Sequence, residues 1–208
     1  MGGMFGLILS GGKSSRMGGG DKTLRALGDG TVLSHVAGRL SPQVDRMAIS
    51  ANGDPERFAA FGLPVVADSI EDYAGPLAGI LAGMDWATEA TGTHIVSVAG
   101  DTPFFPNDLV ARLSAAVQGN PGRIAVAASG GRRHPVFALW PLRLAGDLRQ
   151  FLEEGRSFKV QAFIEDHEFA EVEFPMMSSP SGSTDPFFNI NTPDDLVRAE
   201  TLLQEIEP

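Results

Sequence analysis

Cysteine is absent from this 208-residue chain, and with it go disulfides and thiolate metal sites. Long hydrophobic runs are missing too, since no stretch reaches the roughly 18 apolar residues that a membrane helix needs. The opening MGGMFGLILSGG is short and lacks the basic start of a secretory signal, so the expected compartment is cytoplasmic. Positive charge is scarce: 16 Lys and Arg stand against 26 Asp and Glu, a net charge of −10. That balance argues against broad electrostatic binding, so neither nucleic acid nor membrane is expected as a partner. A small anionic ligand stays open, because it responds to the local field and not to the total.

What is present is ordinary for a globular protein, with 43% hydrophobic and 20% charged residues, and the length suits a single domain spanning 1–208. Met4–Leu9 is a short apolar run that predicts a buried strand. Thr31–Leu40 has helical spacing with Thr31 as N-cap, and Arg46–Ala51 reads as a strand. Asp54–Phe61 opens like a helix, with Asp54 as cap and Pro55 in the first position. Pro64–Asp68 predicts a strand, Gly75–Ala90 a helix, His94–Asp101 a strand and Pro106–Val117 a helix. Alternation at this spacing predicts βαβ units, hence a mostly parallel sheet covered on both faces. Ligands of such sheets bind outside the carboxyl ends of the strands. That directs attention to Leu9–Lys22, Ser50–Asn52, Asp68 and Gly100–Asp101.

The second half differs. RIAVAAS and PVFALW flank GGRRH, a hairpin signal that predicts at least one antiparallel strand. Two helices and a strand follow. Met176–Pro186 reads as a Ser/Gly/Pro loop expected to be mobile. FFNINTPDDL predicts a short strand and then a helix that starts at Thr192 and Pro193.

Leu9–Lys22, LSGGKSSRMGGGDK, holds five glycines, three serines, two lysines and one arginine. It is neither a P-loop nor a Rossmann turn. GKS at Gly12–Ser14 would need glycine at position 7, which is Leu7, and the pattern from Gly18 and Gly20 meets Thr23 where a third glycine belongs. The physical content survives the failed labels. Glycines let backbone N–H groups approach a ligand, successive N–H groups make an anion nest, and Lys13, Arg16 and Lys22 add positive charge. A flexible loop of solvated charges is the competing reading.

The same stretch resembles the signature L-A-G-G-x-S-x-R-M-G-x-x-D-K of the molybdenum cofactor guanylyltransferases, with Ser10 in place of the usual alanine. Asp68–Ile80, Ala99–Phe104, Arg132–Leu139 and Phe187–Leu196 match in order along nearly the whole chain. The resemblance implies a three-layer, Rossmann-like α/β sandwich of the nucleotide-diphospho-sugar transferase type. Residues 4–120 would be the nucleotide-binding part and 121–208 the acceptor-binding part. It implies a nucleotidyltransferase that moves GMP from GTP to the terminal phosphate of molybdenum-molybdopterin and releases pyrophosphate. Transient contacts with molybdenum-insertion proteins, molybdoenzyme chaperones or apo-molybdoenzymes would accompany that activity.

The resemblance also assigns roles. Leu9, Ser10, Gly11 and Gly12 would contact guanine and ribose through the backbone, and Arg16 and Lys22 would hold the triphosphate, with Lys13 left solvated. Asp101 would hold Mg²⁺, with Mn²⁺ as an alternative, so Lys22, Asp101 and Arg16 form the expected catalytic set. Asp68 occupies the acidic guanine-side position, although capping of the next segment competes as its role. Asn52 is the expected nucleotide contact, with Ser50 on the same strand face as its rival. Asn189 and Asn191 would bind the pterin acceptor, and turn and cap chemistry is the bland alternative. His134 and Arg133 border either the pterin pocket or only a hairpin turn. GPLAG would turn tightly into a helix whose N-terminus faces the site. Related cytidylyltransferases usually carry L-A-A-G where this chain has LSGG, and a regulator without turnover would not need both Lys22 and Asp101.

Overall fold

The computed structural model describes residues 3–11, 21–68, 70, 75–155 and 157–206. A seven-stranded sheet runs through its centre. In spatial order it is β5 (Val65–Val66), β4 (Arg46–Ser50), β1 (Gly3–Leu9), β6 (Gly92–Ala99), β8 (Arg132–Pro141), β7 (Ile124–Ser129) and β9 (Phe169–Glu173). Every neighbouring pair is parallel except the two made by β8, which runs against both β6 and β7. The reversal has a local cause. Gly130 and Gly131 join β7 to β8 with φ of 54° and 75°. Two successive positive-φ residues form a tight hairpin turn whose twist suits the strands on either side. Arg132–His134, expected in the turn, therefore belong to β8.

Helices cover both faces. α2 (Pro76–Glu89), α4 (Ala145–Glu153) and α5 (Val160–Glu165) lie on one, α1 (Val32–Leu40) and α3 (Leu109–Ala116) on the other. Leu7 of β1 and Ile95 of β6 enter the first core, while Ile8 and Val96 enter the second. Alternation of side chains across a sheet buried on both faces explains why these strands read as continuous apolar runs. A third, smaller core joins α6 (Pro193–Ile206) to Leu27, Val32, Phe104 and Ile190. Beside it the ribbon of β2 (Ala26–Leu27) and β3 (Gly30–Thr31) leads into α1. The expected Thr31 cap is present: its hydroxyl accepts from Ser34 N at 3.1 Å, and Ser34 Oγ accepts from Thr31 N at 2.8 Å.

Three expectations change. Asp54–Phe61 forms a 3₁₀ segment, Pro55–Phe61, and not an α-helix. It is capped by Asp54 and stopped by Gly62 at φ 62°. Met176–Pro186 contains a hairpin, β10 (Met177–Ser179) and β11 (Gly182–Thr184). The short strand expected in 187–191 does not form. Asp185 and Asp195 side chains accept from the backbone N–H groups of Phe187, Asn191 and Thr192, leaving few for a ladder. Among the described residues no helix is long and apolar enough to cross a membrane.

The chain leaves β1 toward β4 on one side and returns through β6 on the other, which makes the β1–β6 boundary the switch point of the sheet. α2 is held tightly over it. A Cβ on Gly79 would lie 2.4 Å from Ser50 Oγ, and one on Gly83 would lie 2.5 Å from a Leu7 methyl. Two glycines one turn apart thus let the helix rest directly on β4 and β1. Gly83→Val is expected to destabilise the fold by about 1–3 kcal/mol through overpacking against fully buried Leu7. Chemical denaturation of both proteins checks this, and an unchanged midpoint would show that the contact is not tight.

Candidate active site

The strand ends at the switch point are stitched together past the sheet itself. Gly100 N donates to Leu9 O at 2.9 Å, Ser10 N to Ser50 O at 2.9 Å, and Ala51 N to Val66 O at 3.0 Å. Leu9, Ser10 and Gly100 therefore form a rigid rim. Just beyond it, three distant parts of the chain meet. Lys22 Nζ donates to Asp101 Oδ2 at 2.5 Å and to Asn191 Oδ1 at 3.0 Å. Thr102 Oγ1 donates to Asn189 Oδ1 at 2.9 Å, and Ile190 N donates to Asp101 O at 2.9 Å. Asp195 holds the turn from below by accepting from Asn191 N and Thr192 N. Desolvation pushes its carboxyl up, but those bonds and one from Thr192 outweigh it, so the net shift is downward.

A second cluster sits beyond β4 and β5. Asn52 Nδ2 donates to Asp68 Oδ2 at 2.7 Å, and Asp68 N donates to Asn52 Oδ1 at 2.9 Å. The two residues lock each other in orientation. Ser50, the last residue of β4, is buried beneath Gly79, so of the two candidates only Asn52, two residues past the strand end, is exposed. Burial pushes the Asp68 carboxyl above the ordinary value of 3.8, and the Asn52 amide only partly offsets this.

Arg57 ties the clusters together. Its guanidinium donates to Asn52 O at 2.8 Å and lies 3.3 Å from Asp21 Oδ2, next to Lys22. Asp21 in turn accepts from Thr23 N and Thr23 Oγ1. Thr23 has spent its one hydroxyl proton on Asp21, so the 2.8 Å contact between Ser10 Oγ and Thr23 Oγ1 has Ser10 as donor. This is how serine is accommodated at a position where alanine is usual: its hydroxyl is buried but partnered. Gly11 is exposed, with open space where a Cβ would stand. Gly12, Arg16 and Lys13 lie outside the described residues.

The structure thus unites Lys22, Asp101 and Asn191 directly, places Asn189 beside them through Thr102, and keeps Asn52 and Asp68 as a separate pair. Sequence reasoning gave no role to Asp21, although it stands in the signature, and missed Thr23 and Arg57, which carry no motif of their own. It also missed Asp185 and Phe187. These two help line a cavity of about 430 Å³, together with Arg132–Phe137, Asn189 and Asn191. A proline-flanked aspartate in a polar loop was the available signal for Asp185.

Of the residues gathered here, Asp101 is the carboxylate that could hold a hard cation. Carboxylate and amide oxygens from Asp101 and Asn191 already converge on one positive group, the Lys22 ammonium. Among the described residues there is no cluster of three or more His, Cys, Asp or Glu. Coordination through the Asp101 carboxylate would suit Mg²⁺ completed by phosphate oxygens and water.

Residues 6–171 match the family model described as MobA-like NTP transferase domain. A relative from Mesorhizobium japonicum named molybdenum cofactor guanylyltransferase is 55% identical over 97% of this chain and 96% of its own. Among solved structures, molybdopterin-guanine dinucleotide biosynthesis protein A from Archaeoglobus fulgidus superposes with a TM-score of 0.72 at 21% identity, covering 96% of this chain and 98% of that one. A manganese complex of a Mycobacterium tuberculosis protein gives 0.62 at 20% identity, covering 96% of this chain and 98% of that one. At such identities the structural likenesses establish the fold.

The raised Asp68 carboxyl has a sign that can be tested. Its ionised form is penalised in the folded chain, and the penalty is relieved as pH falls through the folded-state value toward 3.8. Asp68→Asn is therefore expected to raise the melting temperature relative to the parent near neutral pH, and the gain should shrink on acidification. Thermal melts of both proteins across that range decide it, and a gap that widens at low pH would reverse the assignment.

Proposed function

This chain belongs to the family of MobA-like NTP transferase domains, and on that premise we propose that it transfers GMP from GTP to the terminal phosphate of molybdenum-bearing molybdopterin. The observation that carries this reading is the convergence of Lys22, Asp101 and Asn191 at the switch point, in a chain 55% identical to a named guanylyltransferase. A cytidylyltransferase or a non-catalytic regulator is not favoured by such relatives. The whole chain works as one domain in the cytoplasm. The part up to residue 120 serves the nucleotide, and residues from 121 onward serve the acceptor.

A terminal phosphate oxygen of the acceptor attacks the α-phosphorus of GTP. A new P–O bond forms, the α–β bridging bond breaks, and pyrophosphate leaves with the bonding pair. The nucleophile is already an anion, so no general base is required, and the burden falls on positioning and charge. Lys22 offers its ammonium to the triphosphate, with Arg16 as a second cation from the glycine-rich loop. Leu9, Ser10, Gly11 and Gly12 shape the rim for base and ribose. Asp68, aimed by Asn52, accepts from the N1 and N2 groups of guanine. Asn189 and Asn191 present amides to the acceptor. Asp101 would hold Mg²⁺, with Mn²⁺ as a substitute, and when bound the ion offsets charge on the phosphate oxygens. The finished cofactor would pass to chaperones or apo-molybdoenzymes by transient contact.

Pyrophosphate release by the purified chain with molybdopterin and Mg²⁺ is expected with GTP and not with CTP, and chelation of the metal should abolish it. Lys22→Ala and Asp101→Ala should each lower kcat/KM by roughly 100-fold or more, the scale for losing one preorganised charge contact. Preference for CTP would overturn the substrate, and full metal-dependent activity of Asp101→Ala would overturn the metal assignment.

A further inference from the structure

The acceptor cavity has a second polar feature, remote in sequence from the glycine-rich loop. Ser129 is 2% exposed at the end of β7. Its Oγ lies 2.7 Å from His134 Nε2 and donates to Asp185 Oδ1 at 2.8 Å. The same Asp185 oxygen also accepts from Phe187 N at 2.8 Å, which fixes the carboxylate. A hydroxyl has one proton, and here Asp185 takes it. Ser129 Oγ must therefore accept from His134, which places the imidazole proton on Nε2. In the neutral ring Nδ1 is then a bare lone pair.

The ring is held in plane as well. His134 stacks on Phe187 with centroids 4.4 Å apart and an interplanar angle of 29°. Phe187 is buried and packed against Phe137 and Phe174. His134 lines the cavity, and among the described residues its Nδ1 has no hydrogen-bond partner. The charged groups facing the ring come from three elements. Burial pushes the imidazole below its ordinary 6.5, Asp185 from the segment after β11 pulls it up, Arg132 on β8 pushes it down, and Glu173 on β9 pulls it up. The net direction is down, so the ring is neutral near physiological pH.

We propose that His134 is a specificity-determining residue of the acceptor pocket, its Nδ1 accepting a hydrogen bond from a ring N–H or amino group of a heterocyclic acceptor. This inference rests on the proposed function and sharpens it by separating the cavity's two tasks. Lys22, which bonds the lining residue Asn191, brings positive charge suited to phosphate to that side, whereas a neutral imidazole whose Nε2 proton is committed to Ser129 offers nothing to an anion at Nδ1. The imidazole itself, whatever the neighbouring Arg132 and Arg133 contribute in charge, is therefore suited to donors on the heterocycle and not to its phosphate. Ser129 and Asp185 act as positioning residues that select the tautomer.

The test uses the full chain, GTP and molybdopterin, with KM measured for each substrate. In His134→Gln the amide nitrogen can replace Nε2 toward Ser129, but nothing replaces Nδ1. In His134→Asn the amide oxygen stands near the Nδ1 position. His134→Gln should raise the acceptor KM about tenfold, the scale of one lost hydrogen bond, and leave the GTP KM within about twofold. His134→Asn should recover part of the loss. In the parent the acceptor KM should rise only as pH falls through the imidazole's own value, which lies below the ordinary 6.5, because protonation removes the acceptor, and His134→Gln should lack that rise. An unchanged acceptor KM in His134→Gln, or an acceptor KM that falls on acidification as an imidazolium–phosphate contact requires, would overturn this inference and leave GMP transfer standing. A parent chain that turns over no GTP with molybdopterin would overturn the proposed function and this assignment with it.

Discussion

The Lys22 ammonium, shared between Asp101 and Asn191, is the contact on which the site depends. It joins the end of the glycine-rich loop, the end of a central strand and the segment before the last helix. Each partner has its own support. Lys22 follows the Asp21 cap, Asp101 is fixed by Ile190 N on its carbonyl, and Asn191 by Asp195. A charged pair at the protein surface contributes little stability in general. Here side-chain exposures of 25% and 14% leave the pair accessible to a ligand, so its significance is positional. It concentrates opposite charges where phosphates would have to pass, and the packed strands beneath it resist rearrangement.

The sheet explains why these parts can meet. β1 and β6 are direct neighbours in register from Met4 with His94 to Leu9 with Ala99. Their ends therefore lie side by side, and Gly100 continues the ladder before the chain turns at Asp101. α2 sits low over the same ends because Gly79 and Gly83 remove the side chains that would lift it. Backbone packing sets the site's dimensions, and a few polar side chains give it chemical character.

Much of this was legible in the sequence. The apolar runs and cap signals placed β1, β4 and α1 to within a residue and β6 two residues late at each end, because double burial and capping leave strong local patterns. The positions of Lys22, Asp101, Asn189 and Asn191 followed from motif resemblance, and their convergence required the fold. The errors fell where side chains capture backbone groups. Phe187–Asn191 looks like a strand by composition, yet Asp185 and Asp195 take its N–H groups. The β10–β11 hairpin is built from serine and glycine, which carry no alternating apolar signal. Arg57 and Thr23 were illegible for a different reason: Arg57 reaches Asp21 and Thr23 reaches Ser10 only once the chain has folded, and neither is unusual in its local setting.

The reversed strand β8 has a consequence for how such a chain can diversify. Because it runs against β6, its opening residues Arg132–His134 arrive at the same sheet edge as the closing residues of β1, β4 and β6. One wall of the cleft is thus drawn from the turn between β7 and β8 and the opposite wall from the finishes of β1, β4 and β6. Substitutions in the first wall can change what that wall presents while β1, β4 and β6 keep their sequence. The fold in this sense has a fixed part, the ends of β1, β4 and β6, and an exchangeable one carried on a hairpin of two glycines between β7 and β8.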